Sequence, residues 1–158
     1  MILYHGTNTD FDAILLSQGK KYKDFGQGFY LTDIKRQATK MAKKKAELFG
    51  GMPIVQEYEF DEMLLRSDEL NVKIFRKYSV AWASFVDKCR DKDLDYHHDY
   101  DIVYGPVADD GVAYQLARRK EGTLTLKELA QKLRYKKTVT NQYYFGTEKA
   151  VQYLRRTK

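Results

Sequence analysis

Hydrophobic residues recur along this chain with two spacings, so the pattern predicts both strands and helices. Residues 53–61 alternate with period two, which predicts a half-exposed strand. An apolar stripe at helical spacing predicts a helix that is capped by Thr32 or Asp33 and continues to about Phe49. The pair Gly50-Gly51 follows directly and supplies a C-terminal stop.

Shorter elements fill the rest of the chain. Segment 64–77 has no clear period. Because strands and helices are mixed without strict alternation, we expect an α+β fold rather than a doubly wound sheet, as a single domain over residues 1–158. Strands are predicted at residues 1–4, 28–32, 100–108 and 138–145, and further helices at about 11–15, 79–92, 112–120, 125–135 and 148–156.

Composition narrows the class of protein. Of the 158 residues, 43% are hydrophobic and 32% charged, as in a soluble globular domain with a sizeable core. No stretch approaches the ~20 apolar residues of a membrane span, and the N-terminus lacks the pattern of a signal peptide, so no membrane partner is expected. Cys89 is the only cysteine and can form no intramolecular disulfide, which favours a reducing cytoplasm.

The charge is unevenly distributed around a net value of +6. Residues 1–45 and 118–158 are basic, whereas residues 46–117 are acidic. Solvated helix faces account for most of these side chains. A basic rim would also attract an anion such as a dinucleotide, a nucleic acid or an acidic protein.

The segment Asp24–Thr32 is the first candidate for chemistry. It sets Gly26 and Gly28 among aromatic residues, and glycine lets the backbone approach a ligand closely. Tyr30 follows, where its ring could face a planar ligand. The segment is not a Rossmann fingerprint, because no strand precedes it and no helix begins directly after it. A tight turn and a core tyrosine are the alternative interpretation.

Three further segments carry polar residues near predicted strands. Tyr4-His5-Gly6-Thr7 lies at the end of the first strand. A histidine there is usually structural and hydrogen-bonded, but Gly6, Thr7 and the other three segments favour a ligand role for His5. Tyr100–Asp110 is an apolar strand that closes on two carboxylates, which serve equally well as a helix N-cap. Thr140–Phe145 places Gln142 beside aromatic residues.

These four segments, in this order, resemble a group of small bacterial domains related to ADP-ribosyltransferases. The shared patterns are Y-H-G-[ST], D-F-G-x-G-F-Y-L-T, Y-D-I-V-x-G-P-V-A-D-D and Q-x-x-F-x-T-x-x-A, and they extend over nearly the whole chain. The resemblance implies a split, strongly bent β-sheet with flanking helices that holds NAD in a central cleft. It also implies mono-ADP-ribosyl transfer to a protein or a nucleic acid by a bacterial toxin or effector, with an antitoxin protein as a candidate partner.

Carried over to this chain, the resemblance assigns a role to each matched residue. His5 and Thr7 would contact ribose, the Gly6 backbone would pair with the nicotinamide carboxamide, and Tyr30 would stack on the nicotinamide ring. The implied NAD-binding set is His5, Gly6, Thr7, Asp24, Gly28, Tyr30 and Gln142.

Gln142 departs from the wider ADP-ribosyltransferase superfamily, which usually has a glutamate at the position that the resemblance aligns with it. An amide forms hydrogen bonds with a ribose, but it has no charge and cannot act as a base. The candidates to replace the acid are Asp110 and Asp109, and then Asp24. A substrate that brings its own carboxylate is the other solution. The catalytic set is therefore Gln142, Asp110, Asp109 and Tyr30.

Other functions remain alternatives at this point. Gln142 also suits an NAD or ADP-ribose-binding module without catalysis, or an NAD glycohydrolase. A nucleic-acid-binding toxin that uses the basic termini ranks last, because no RNA-recognition signature is present. No metal is expected, since His97-His98-Asp99 matches no zinc spacing and fits a solvated acidic loop. Cys89 has the helical spacing of a core residue.

Overall fold

A computed structural model describes residues 1–108, 111–134 and 139–158. Their order of elements is mixed, which confirms the α+β class. Short 3-10 turns lie at Leu16–Gln18 and Glu62–Arg66. The strands and helices are β1 (Ile2–Thr7), β2 (Phe29–Leu31), α1 (Lys35–Phe49), β3 (Ile54–Glu59), β4 (Val72–Ile74), α2 (Val80–Arg90), β5 (Ile102–Pro106), α3 (Gly111–Lys120), α4 (Leu126–Arg134), β6 (Asn141–Phe145), α5 (Glu148–Val151) and β7 (Arg155–Arg156).

The strands form two sheets that meet at one point. The first has the order β1-β3-β7 and is antiparallel. The second has the order β2-β6-β5-β4, in which only the β4–β5 pair is parallel. Tyr4 of β1 and Thr32, just after β2, exchange backbone hydrogen bonds of 2.7 and 2.9 Å. Among the described residues, this bridge is the one backbone link between the two sheets.

Two hydrophobic cores lie on opposite faces of the second sheet, because neighbouring strand residues point to opposite sides. Tyr144 of β6 points towards the helical core, where Trp82 and Phe85 of α2 are buried. Phe145 points the other way and packs against Leu3 of β1 in the second core. Each residue of the second sheet therefore faces either the helices or the first sheet.

Side-chain caps define three of the helices. Ser79 accepts a hydrogen bond from the Trp82 amide (3.1 Å), and Thr125 accepts one from the Glu128 amide (3.2 Å). Thr147 caps α5 in the same way. These contacts confirm the predicted helix starts.

Several predicted boundaries are wrong. No α-helix forms at residues 11–15, because the Phe11 carbonyl accepts hydrogen bonds from Arg156 (2.6 Å) and Gln56 (2.9 Å) instead of helical amides. Helix α1 is not capped by Thr32 or Asp33, because its N-cap position is Ile34, which has no polar side chain. The Thr32 hydroxyl accepts from the Ile34 amide and donates to Gln37 instead. The last helix ends at Val151, and the chain then forms β7 at the edge of the first sheet.

None of the helices in the described part of the chain is long and apolar enough to cross a membrane.

Candidate functional site

Strands β1 and β2 separate directly after the bridge that joins them. Continuing the antiparallel register from Tyr4 and Thr32 would place Gly6 opposite Tyr30. Instead, the Nδ1 atom of the His5 imidazole lies 2.8 Å from the Tyr30 carbonyl oxygen. We call the space between His5, Gly6 and Tyr30 the β1–β2 cleft. Because β1 extends to Thr7, His5 lies within the strand and not at its end as predicted.

The His5 ring is held in one tautomer. A carbonyl accepts at Nδ1, so that nitrogen carries the proton and Nε2 has a free lone pair. Burial, followed by the positive charge of Lys45, lowers the pKa of His5 to about 3. The rings of Phe29 (4.3 Å between centroids) and Phe11 (5.8 Å) hold the imidazole from the sides. At neutral pH, His5 is therefore an uncharged hydrogen-bond acceptor at Nε2.

Gly6 is buried, and its backbone groups point towards the β1–β2 cleft. Tyr4 directs its amide and carbonyl away from β3, and by strand alternation Gly6, two residues later, does the same. The Lys45 ammonium donates to the Gly6 carbonyl at 2.8 Å. A Cβ atom at Gly6 would clash with the Ala38 carbonyl and lie 2.9 Å from the Ala42 amide nitrogen. The approach of α1 therefore requires a glycine here, whether or not a ligand does.

Two of the other predicted NAD-binding residues serve the structure. The buried Thr7 hydroxyl donates to the Thr9 carbonyl (3.0 Å) and accepts from the Thr9 amide (3.3 Å). Gly28 lies against Tyr144, and a Cβ atom there would approach the Phe145 carbonyl oxygen to 2.7 Å. The contacts of both residues are therefore explained by the fold alone.

The Tyr30 side chain is held by its own loop. Its hydroxyl donates to the Gly26 carbonyl (2.6 Å) and accepts from the Phe25 amide (3.0 Å). Burial raises the pKa of Tyr30 well above its ordinary value of 10, so the hydroxyl stays protonated. The Lys23 ammonium lies over the ring, 4.2 Å from its centroid. Lys23 thus covers the aromatic face of Tyr30. The protonated hydroxyl of Tyr30 cannot act as a catalytic base.

Asp24 and Gln142 form a direct pair. The amide nitrogen of Gln142 donates to Asp24 Oδ2 at 2.8 Å, and the Ala108 amide donates to the same oxygen at 2.8 Å. Arg90 of α2 forms an ion pair with Asp24 Oδ1 at 3.0 Å. Gln142 precedes Tyr144 by two residues on β6, and Tyr144 lies opposite Tyr30, so Gln142 and Tyr30 share one face of the second sheet.

This geometry places the Asp24 carboxylate next to Gln142, the residue that the resemblance aligns with a glutamate. The side-chain nitrogen of Gln142 donates its hydrogen bond to Asp24. No described residue donates a hydrogen bond to the Gln142 side-chain oxygen. Of the three candidate acids, Asp24 is the one that the structure places beside Gln142. Asp109 and Asp110 lie outside the described residues.

The glycine segment is fixed from both sides. His98 donates from Nε2 to the Phe25 carbonyl (2.7 Å) while its Nδ1 accepts from the Tyr100 amide (3.2 Å). Tyr144 donates to the Gln27 carbonyl at 2.9 Å. His98 is therefore a partly buried support for this loop, which corrects the prediction that it belongs to a solvated segment.

Cys89 and the surface cavities lie apart from this chemistry. Cys89 is buried, and burial raises the pKa of its thiol to about 12. Among the described residues, no group of three His, Cys, Asp or Glu side chains is placed to hold a metal. An open cavity of about 600 Å³ is lined by Asn71, Tyr96, His97, His98, Asp99 and Tyr100, outside the β1–β2 cleft.

Sequence reasoning did not single out Lys45 or Arg90. Lys45 had a detectable signal, because it follows Ala38 and Ala42 at positions i+7 and i+3, on the inward face of α1. A lysine on such a face brings its ammonium to the neighbouring strand. Arg90 had no comparable signal, since its contact with Asp24 joins residues far apart in the chain.

Comparison with known proteins gives one family and no individual relative. No curated protein and no solved structure matches the chain. A family model described as "Protein of unknown function (DUF3990)" matches residues 1–156. The match extends over nearly the entire sequence, and the chain therefore belongs to the DUF3990 family.

Proposed function

We propose that this protein is an NAD-dependent mono-ADP-ribosyltransferase. The observation that carries the proposal is the β1–β2 cleft, where the two strands separate after the Tyr4–Thr32 bridge and the neutral His5 imidazole lies against the Tyr30 carbonyl. Two sheets that share one backbone bridge among the described residues, between Tyr4 and Thr32, support the split, bent sheet of the ADP-ribosyltransferase-like fold.

Each half of the β1–β2 cleft suits one part of NAD. The Gly6 edge pairs with the nicotinamide carboxamide, because a carbonyl oxygen has a second lone pair beyond the one that Lys45 uses. His5 Nε2 accepts a hydrogen bond from a ribose hydroxyl. Tyr30 stacks on the nicotinamide once Lys23 moves off its ring.

The reaction breaks the bond between the nicotinamide nitrogen and the ribose carbon, and the electron pair leaves with nicotinamide. A nucleophile on a protein or a nucleic acid then bonds to that carbon and loses a proton. Positive charge develops on the ribose in the transition state, where a nearby anion stabilises it most. In our proposal Gln142 binds the ribose through its free oxygen, and Asp24 behind it supplies the negative charge.

The setting of this activity follows from the same resemblance. We assign the protein to the bacterial cytoplasm as a toxin or effector, and an antitoxin that covers the β1–β2 cleft is its expected protein partner. A toxin of this kind consumes NAD and needs a neutralising protein in its own cell.

Incubation with NAD labelled in the adenylate moiety tests the proposal. We expect nicotinamide release, and label on a macromolecule when a cell extract is added. Tyr30→Ala and His5→Ala should each reduce NAD binding while the circular dichroism spectrum stays native. Full activity in both variants would rule out the β1–β2 cleft as the site.

A binding module without catalysis is the second candidate. Asp24 accepts from three donors, one of them the Arg90 guanidinium, so its charge is partly neutralised before a substrate arrives. Calorimetric binding of NAD or ADP-ribose, with no nicotinamide released over hours, would favour this module over the enzyme.

A further inference from the structure

Two lysines contact residues of the β1–β2 cleft, and a third lies close enough to both to repel them. Lys45 lies on α1 and donates to the Gly6 carbonyl at 2.8 Å. The Lys23 ammonium lies 4.2 Å from the centre of the Tyr30 ring, and that of Lys20 lies 4.9 Å from the centre of the Phe49 ring. We call Lys20, Lys23 and Lys45 the lysine cluster.

The cluster has little compensating negative charge. Among the described residues, no carboxylate forms an ion pair with any of the three ammonium groups. Asp24 is the nearest acid to Lys23 in sequence, and Arg90 already occupies it. Burial, together with repulsion from Lys23 and Lys20, lowers the pKa of Lys45 to about 8.

The backbone around these lysines is fixed. Gln27 donates to the Gly19 carbonyl (2.8 Å) and the Ser17 carbonyl (3.1 Å), which ties the residues before Lys20 to the glycine segment. Gly19 also packs so closely on Gly28 that a Cβ atom at Gly19 would lie 2.7 Å from the Gly28 carbonyl oxygen. The fold therefore fixes the backbone that leads into Lys20, and this lysine is close enough to Lys23 and Lys45 to repel both.

An arrangement of unpaired cations on a fixed backbone favours a multiply charged anion. Two adjacent phosphates match it best, because they offer several acceptor oxygens to three separate donors. Lys23 now rests on the Tyr30 ring, and a charge-assisted hydrogen bond to phosphate replaces this cation–π contact with a stronger interaction.

We propose that the lysine cluster binds the diphosphate of an anionic ligand and that Lys23 leaves the Tyr30 ring to do so. The ring face thus becomes available only when the phosphates have arrived. This makes the cleft selective for dinucleotides over nicotinamide or a free nucleoside. The assignment of nicotinamide to Tyr30 rests on the proposed function, whereas the diphosphate site does not require it.

Inorganic pyrophosphate is the probe, titrated into the full chain by calorimetry. Lys45→Met and Lys23→Met remove one charge each and retain an unbranched stem of similar length. Each should weaken pyrophosphate binding by about tenfold or more. The matched control is Lys43→Met on the exposed side of α1, which should change the affinity less than twofold.

A second measurement follows the ring of Tyr30 by NMR. In the native protein, pyrophosphate should shift the Tyr30 ring resonances as Lys23 leaves, and in Lys23→Met the resonances should already lie near the shifted position. The inference is overturned if pyrophosphate does not bind, or if Lys43→Met weakens it as much as Lys45→Met does. It is also overturned if the Tyr30 resonances do not respond.

The outcomes separate this inference from the proposed function. Pyrophosphate binding without any NAD binding would support the diphosphate site and contradict the transferase. NAD turnover that pyrophosphate does not inhibit would support the transferase and contradict the diphosphate site.

Discussion

Replacing Gln142 by glutamate tests the pair that the structure forms with Asp24. The introduced side chain would place a second carboxylate about where the amide nitrogen now lies, 2.8 Å from Asp24 Oδ2. At an effective dielectric constant of about 20, two unit charges at this separation repel by about 6 kcal/mol. The Arg90 guanidinium, which pairs with Asp24 Oδ1, offsets part of this repulsion. The pair escapes the rest of the repulsion by keeping a proton, which raises the pKa of the introduced carboxyl above the ordinary value of a glutamate.

The raised pKa makes the stability of this variant fall as the pH rises. Above the ordinary glutamate pKa of about 4.3, the unfolded chain has released a proton that the folded chain still binds. The free energy of unfolding then falls by about 1.4 kcal/mol per pH unit until the pH reaches the folded pKa. Between about pH 4.5 and 7, Gln142→Glu should therefore lose about 3 kcal/mol relative to the native protein.

Urea unfolding measures this loss, with the fluorescence of the buried and single tryptophan, Trp82, as the probe. Gln131→Glu, on the exposed surface of α4, is the control and should show no extra pH dependence. Adding Asp24→Asn to Gln142→Glu leaves one carboxylate in the pair, now at position 142. This removes the repulsion and should restore most of the stability. A Gln142→Glu variant that is as stable as the native protein at neutral pH would refute the pairing.

Three other changes test separate contacts. His5→Gln should remove about 5 kcal/mol of pH-dependent stability, because the folded pKa of His5 is about 3 against an ordinary 6.5. The native protein loses this stability as the pH falls from 6.5 towards 3, and acid titrations of the variant should be flatter by that amount. Gly6→Ala should destabilise the fold by about 2 kcal/mol through overpacking against backbone atoms of α1, and an unchanged melting temperature would contradict that packing. Tyr30→Phe should lose about 1 kcal/mol of stability with its two hydroxyl bonds yet retain NAD affinity, whereas NAD binding as weak as in Tyr30→Ala would show that the hydroxyl, rather than the ring, is needed.

The sequence predicts the secondary structure best where a local pattern decides it. Ser79, Thr125 and Thr147 cap the helices that are predicted to begin at or next to them, because a cap depends on residues two or three positions away. Residues 11–15 have helical spacing but form no α-helix. Their outcome is decided by Arg156 and Gln56, which are distant in sequence and take the Phe11 carbonyl.

In the candidate site as well, local motifs predict some residues, whereas contacts between distant residues could not be predicted. Motifs locate His5 and Tyr30, and the structure brings them together across the β1–β2 cleft. The partnership of Asp24 with Gln142 spans 118 residues, so no spacing rule could give it or place Asp24 ahead of the other acids. Gly6 shows a third case, since its need for no side chain has a cause in α1 that the motif could not reveal.

A crystal structure of the protein soaked with NAD tests the central claim most directly. We predict nicotinamide against the Tyr30 ring with its carboxamide on the Gly6 backbone, a ribose hydroxyl within hydrogen-bond distance of His5 Nε2, and Lys23 displaced from the ring. NAD bound elsewhere, for example in the open cavity lined by His97 and Tyr100, or a β1–β2 cleft that stays empty at saturating NAD, would contradict the claim.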